Sequence, residues 1–558
     1  MRHTVSIAIL ISIALCGPAA GADDVTVQEL KADVLLRAMV DELQRGKVGL
    51  ELEDLEKPYF IEYAMLDAAQ AGVTAQLGAI TGAGDVRSRY LRSDVRVGSY
   101  KLDNTNFGRG SFGGAGAIPI EGDYNAIRQA IWWATDRQYK EVIENFEKKK
   151  AFMQSKMIED KPDDFSRETP TVYFEKRIDP KIDAKALEKM AVSLSTVFRE
   201  YPDIQESQVS ISGIGGNKYL VNTEGTRIRT SKMRFELDVN VTVQAPDGMK
   251  LSDSMSLFAS TLKEFPTTAE LEQRLRKMAE RLIAVKDAPL LDSYTGPVLF
   301  SAEPATSLFA GLFAGRFTGG QRPVGSSTRP DDFENKIGKR ILPRFMDVVD
   351  DPTRETIDGK MVLGNYKYDD QGVQAKPVSL VEEGRLKTLL MSRNPSKKLS
   401  ESTGHGRSAW QPAAAIGCMI VTADEASNPE SLIEQLLEAA EDEDLEFAIR
   451  VESLGTISRP GRGYRGYRSS PTPLVIYKVY PDGREELVRG AEIARIDLKS
   501  FKRIMACGDG MHVLNGARGY SPTTVAAPAM LFEELDLAKV DRDFDKPPIL
   551  PTPLARGK

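Results

Sequence analysis

The rarest residues are the ones most able to do chemistry. The chain of 558 residues has three His (His3, His405, His512) and three Cys (Cys16, Cys418, Cys507). His405 lies in Thr403-Gly404-His405-Gly406-Arg407, a glycine-flanked loop from which an imidazole could act as a general base or touch a substrate. The plainer reading is a loop histidine bonded to nearby backbone, since the sequence identifies no partner acid. Cys507 and His512 could form a metal or nucleophile pair, but the Gly508-Asp509-Gly510 between them reads as a turn. The acidic pairs Asp350-Asp351 and Asp369-Asp370 could share a proton or hold Ca²⁺. Adjacent carboxylates on a strand point to opposite faces, however, and aspartate-rich turns are common. The one basic, aromatic-interleaved stretch is Arg459 to Arg468, in which Tyr464, Arg465 and Tyr467 are the candidate contacts to a peptide or partner. No Gly-x-Ser-x-Gly elbow or Walker-type phosphate loop is present.

These residues need a scaffold, and hydrophobic periodicity outlines one. An amphipathic helix is expected over 27–43, then short strands at 59–65, 72–80 and 87–101, and a glycine-rich loop at 108–116. A long helix is expected over 124–157, carrying Trp132 and Trp133 and apolar groups on more than one face, followed by a helix over 184–201. Residues 209–243 alternate at period two around Asn222-Thr223-Glu224-Gly225 and read as a β-meander; a helix over 268–285 then leads to Pro289. Beyond it strands dominate, interrupted by a helix over 429–441. The expected architecture is α+β with two domains: 23–290, mixed helix and strand, and 291–545, strand-rich, with a tail at 546–558.

Residues 1–22 read as a signal peptide: Arg2 and His3, an apolar run from Val5 to Cys16, then Ala20-Gly21-Ala22 before Asp23. An anchor on lipidated Cys16 is the rival reading. The expected location is periplasmic or secreted, which would permit a Cys418–Cys507 disulfide. Lys plus Arg total 74 against 81 Asp plus Glu, a net charge of −7, so no global basic field argues for nucleic acid.

Several segments in order give the chain a resemblance to the TldD/PmbA family, which includes metallopeptidases. They include Asn222-Thr223-Glu224-Gly225, Val348-Val349-Asp350-Asp351, Asp369-Asp370-Gln371-Gly372, Leu380 to Lys387, Thr403 to Arg407, Leu487 to Ala491 and Pro528-Ala529-Met530-Leu531. The resemblance implies a helix bearing His-Glu-x-x-x-His and a later Cys, which together would bind Zn²⁺ and activate water. In the matching positions this chain has Ala310, Gly311 and Gly315, and Leu514 or Asn515 in place of the Cys. The expectation is therefore no metal and no cofactor, and a non-catalytic, peptide-binding or partner subunit of a proteolytic system. It would act as a homodimer, or as a heterodimer with a metal-bearing relative. The alternatives are a hydrolase with a non-standard site, built on His405 or the acidic loops, and a structural envelope protein that keeps only the fold.

Overall fold

The structure is a computed structural model describing residues 22–53, 55–108, 114–326, 333–408, 411–457, 472–516, 521–540 and 544–555. Its N-terminal lobe is built on an antiparallel sheet. β1 (Pro58–Gln76) and β2 (Ala79–Val97) form one long hairpin closed at Leu77-Gly78, where φ is 49° and 76°. Two positive φ values are what a primed two-residue turn requires. The three short strands expected here are thus two long ones. The Asp67–Gly72 run has no β-branched residue, so composition hid a strand whose order comes from pairing with β2 on one side and β5 on the other.

β3 (Gly114–Ala117) adds to β2 at the end of the stretch expected to be a loop. β4 (Val172–Phe174) runs parallel to the start of β6 (Arg227–Gln244); β5 (Ile204–Asn222) and β6 form the expected meander, and β7 (Lys250–Ala259), outside the expected range, extends it. The expected opening helix is two helices, α1 (Ala22–Ala32) and α2 (Val34–Gly49). They divide at Asp33, whose carboxylate accepts the N–H groups of Leu35 and Leu36 as a helix cap. α3 (Tyr124–Ser155) buries Ile127, Ile131, Val142 and Phe146, while Trp132 and Trp133 stay 37% and 55% exposed. α4 (Ala184–Thr196) and α5 (Thr268–Asp287) complete the lobe.

Strand alternation then divides the sheet into two faces. One face carries Tyr63, Met65, Tyr219 and Val221 into a core with α2 and α3, and Val209, Ile211, Leu237 and Val239 into a core with α4 and α5. The other face carries Ala64, Leu66, Arg92, Lys218 and Lys232, aligned by register: Ala64 faces Leu220, Leu66 faces Lys218, and Gly216 faces Lys232.

The C-terminal lobe is strand-rich, as expected. β8 (Tyr294–Phe300) lies between strand Thr523–Lys539, antiparallel, and strand Ala448–Ile457, parallel. α6 (Ala302–Phe313) follows directly and packs Phe309 and Phe313 into a core with Phe317, Phe333, Phe501 and Phe532. β9 (Met346–Asp350) pairs with strands Val378–Glu382 and Cys418–Ala423, and α7 (Pro429–Asp442) is the expected helix. The two sheets join where Thr456 and Ile457 pair with Ser252 and Leu251 of β7. No helix among the described residues is long and apolar enough to cross a membrane.

Candidate functional site

Where the second face of the N-terminal sheet meets loops of the C-terminal lobe there is a cavity of about 600 Å³. Its floor comes from β1, β5 and β6, and its roof from residues 352–375, Arg407, Ser408 and Pro522. The floor is deepened at Gly216, where a Cβ would lie 2.2 Å from the carbonyl oxygen of Asp67, so no larger residue fits against β1.

The roof is held by side chains from distant strands. Thr524 Oγ1 accepts the N–H groups of Leu363 (3.1 Å) and Gly364 (2.9 Å), and Asn515 accepts from Leu363 N (3.0 Å) while donating to the Met361 carbonyl (2.9 Å). Asn515, one of the two candidates for the cysteine position, is therefore spent on positioning this loop. From there Leu363 and Asn365 offer carbonyl oxygens to Lys232 Nζ at 3.2 and 3.1 Å.

His405 is fully buried beneath the roof and does not line the cavity. Its Nε2 lies 3.1 Å from Asp350 Oδ1 and its Nδ1 2.9 Å from the Thr403 carbonyl. Asp350 also accepts the N–H groups of Gly417 and Cys418 at 3.1 Å. The partner acid absent from the sequence reading is thus Asp350. The pair fastens the 403–407 loop to β9, as a structural histidine would, and so places Arg407. Replacing His405 with Ala is expected to lower stability by about 1.5–3 kcal/mol, the range for a buried hydrogen bond to a charged group. Urea denaturation of the variant checks it; an unchanged midpoint would rule the anchor out.

The adjacent carboxylates of the roof behave oppositely. Burial pushes Asp369 up to about 7 even though it accepts the N–H groups of Val373, Gly406 and Gln371. Burial would also raise Asp370, but Lys218 and Arg407 outweigh it and hold Asp370 down to about 2. Asp370 accepts from Lys218, from Ser408 N (2.8 Å) and from Ser521 Oγ (2.9 Å). With all its oxygens engaged by turn amides, Asp369 is a turn carboxylate rather than half of an acid dyad. Asp351 likewise closes a turn, on Thr353 N and Oγ1 and on Arg354.

The remaining candidates among the described residues lie apart from the cavity. Cys418 and Cys507 are free and buried, and burial pushes each thiol up to about 12, the opposite of an activated nucleophile. His512 is pushed down to about 4 by burial and by the charge of Lys360. It lies beside α6, where Thr306 Oγ1 donates to its carbonyl (3.4 Å). On α6 itself, Ala310 is half-buried and Gly311 is exposed, while Gly315 is exposed just past the helix end. A Cβ at Gly311 or Gly315 would meet nothing within 4 Å, so there is room for a side chain at positions that carry no ligand atom. No group of three or more metal-ligating side chains occurs among the described residues. Tyr464, Arg465 and Tyr467 lie outside the described residues. Sequence reading missed Lys218, Lys232 and Arg407 as a group; the available signal was the shared parity of Lys218 and Lys232 on paired strands.

Comparison with known proteins bears on the C-terminal lobe most directly. Residues 293–440 match the family model described as the PmbA/TldA metallopeptidase C-terminal domain. A metalloprotease of Methanocaldococcus jannaschii is 28% identical over 206 residues, 37% of this chain and 43% of that protein. A metalloprotease of Methanothermobacter thermautotrophicus is 29% identical over 239 residues, 41% of this chain and 49% of that one. The chain thus spans less than half the length of these curated relatives. Over nearly the whole chain the fold is similar to TldE from Thermococcus kodakarensis, with TM-score 0.60, 14% identity, and coverage of 90% of this chain and 100% of that one. A Thermotoga maritima protein solved as a candidate modulator of a DNA gyrase is similar at TM-score 0.58 and 14% identity, covering 92% and 100%.

Proposed function

We propose that this chain, a member of the TldD/PmbA family, is an exported, metal-free subunit that binds a peptide or a partner rather than cutting it. One observation carries the reading: α6 follows β8, but the positions where a zinc peptidase needs two imidazoles and a carboxylate hold Ala310, packed partly against the core, and the exposed Gly311 and Gly315. None of these residues has a side-chain atom that can bind a metal or polarise water. The interlobe cavity supplies a place for a ligand, and the exposed Trp132 and Trp133 of α3 supply apolar surface of the kind used between subunits. The assembly would be a homodimer, or a heterodimer with a relative that retains the metal helix, with Tyr464, Arg465 and Tyr467 as contacts.

Elemental analysis of the purified mature chain is expected to find no stoichiometric zinc, and light scattering to find a dimer, alone or with such a relative. One tightly bound zinc per chain, lost when His405 or His512 is replaced, would restore a peptidase with a non-standard site. A strictly monomeric chain indifferent to the relative would refute the partner role. Export itself is checked by N-terminal sequencing, which should begin at Asp23.

A further inference from the structure

The charges lining the interlobe cavity do not cancel. The cations are Arg92, Lys218, Lys232, Arg234, Lys367 and Arg407, and the carboxylates are Glu175, Glu355, Asp369 and Asp370. Arg92 is matched by Glu62 at 2.8 Å, Lys218 by Asp370, and Lys367 lies 3.8 Å from Glu175. Lys232 and Arg407 are held differently. Lys232 donates to the carbonyls of Leu363 and Asn365 and to the Asn365 side-chain oxygen, and Arg407 to the carbonyls of Gly364 (3.3 Å) and Pro522 (2.8 Å) while lying 4.2 Å from the Tyr366 ring centre. Both cations are therefore fixed in place by neutral oxygens, Lys232 with all three of its N–H groups, so that it would draw an anion by charge. The nearby carboxylates offset them only in part, since Asp370, close to Arg407, is already paired with Lys218, and Glu175 with Lys367. The two cations also repel: burial first, then the charges of Arg407 and Arg234, push Lys232 down to about 8. A site that holds like charges together on neutral scaffolding gains from an anion.

The rest of the lining limits which anion. Ala64, Leu66, Ile214, Leu220, Ile228 and Met233 make much of the floor apolar, which disfavours a fully hydrated inorganic ion and suits an organic acid. The volume, about 600 Å³, is that of a small-ligand pocket, for which the usual range is about 300–1,000 Å³. We propose that this cavity binds the carboxylate end of a partly apolar ligand, with the carboxylate at Lys232 and Arg407 and the apolar part on the Ile214–Ile228–Met233 floor. Resting on the peptide-binding reading above, that ligand is the C-terminal end of a peptide, and the guanidinium of Arg407 offers the fork that a carboxylate matches.

Isothermal titration of the mature full-length chain tests both levels with four probes: 3-phenylpropionate, its amide, acetyl-Leu-Phe with a free carboxylate, and acetyl-Leu-Phe amide. Saturable binding of the two acids, about tenfold or more tighter than their amides, is the expected result. Lys232→Gln, which removes the charge and keeps an amide donor for the same carbonyls, should abolish that preference without lowering the melting temperature. Arg407→Lys, which keeps the charge and loses the fork, should retain part of it. Equal binding of acids and amides, no binding of any probe, or an acid preference unchanged in Lys232→Gln would overturn the site. Binding of 3-phenylpropionate as tight as that of acetyl-Leu-Phe would leave the carboxylate site standing and overturn the peptide as its occupant.

Discussion

Replacing Arg393 with alanine is expected to cost about 3–5 kcal/mol, the range for removing one partner of a buried ion pair. Arg393 belongs to the C-terminal lobe and is 1% exposed, yet its side-chain bonds are made to the other lobe. Its guanidinium donates to both oxygens of Glu224, at 2.7 and 2.8 Å, in the turn between β5 and β6. It also donates from two nitrogens to the Ser166 carbonyl, and it lies 3.9 Å from the Phe165 ring centre, with Phe60 beyond at 5.4 Å. Deleting it leaves Glu224 with the Tyr100 hydroxyl but no guanidinium, takes two donors from the Ser166 carbonyl, and opens a cavity beside Phe165. Arg393→Lys should recover little, because an ammonium cannot make the two-pronged contact or stack on the ring. Glu224→Gln tests the same bond from the other side, and a double-mutant cycle separates the pair from its packing. A urea midpoint for Arg393→Ala within experimental error of the parent would remove this latch from the account. Because the latch holds the lobes in register, the variant should also lose the acid preference of the interlobe cavity.

What the sequence disclosed of this arrangement follows from the range of each interaction. The meander was legible because period-two alternation and the Asn222–Gly225 turn are local, and Gly225, at φ 114°, occupies a conformation that glycine tolerates best. The β1–β2 hairpin was legible only in pieces, since the Ala- and Gly-rich centre of β1 owes its order to neighbours on both sides. The break at Asp33 could have been read from a capping residue inside an amphipathic run, but its retention depends on Tyr219 and Arg229, which bond the same carboxylate from β5 and β6 at 2.9 and 3.0 Å. His405 was visible as a residue and invisible as an anchor, because its acid lies 55 positions away. The departure from His-Glu-x-x-x-His is a matter of residue identity at Ala310, Gly311 and Gly315, and was legible without a structure. The cavity did need one: alternation puts Lys218 and Lys232 on one face, but nothing local says that the roof will cover that face and bring Arg407 to it.

Asp370→Asn should move stability and affinity in opposite directions, which a merely structural carboxylate would not do. Asp370 offsets the charge of Lys218 and Arg407 and is held down to about 2 by them despite its burial. The sign of its contribution follows: stability from this group is present above its unfolded value near 3.8, and is lost as pH falls from there toward 2. At neutral pH the asparagine variant forfeits it. The expected cost is about 3 kcal/mol, the low end for a broken buried pair, because Lys218 keeps 28% of its side chain exposed and water screens part of the loss. The amide retains an acceptor for Ser408 N or Ser521 Oγ, so the roof stays in place. The cavity then carries one more uncompensated positive charge, and 3-phenylpropionate should bind about tenfold tighter than to the parent. Lys232→Gln is the mirror case. Its ammonium is pushed down to about 8 from an ordinary 10.5, so its charge costs stability at neutral pH, and that cost fades as pH rises from 8 toward 10.5. Removing it should lose the acid preference without lowering stability. If Asp370→Asn instead lost stability and acid binding together, Asp370 would be a brace for the roof alone, and the surplus of positive charge would not be what the cavity uses to hold its ligand.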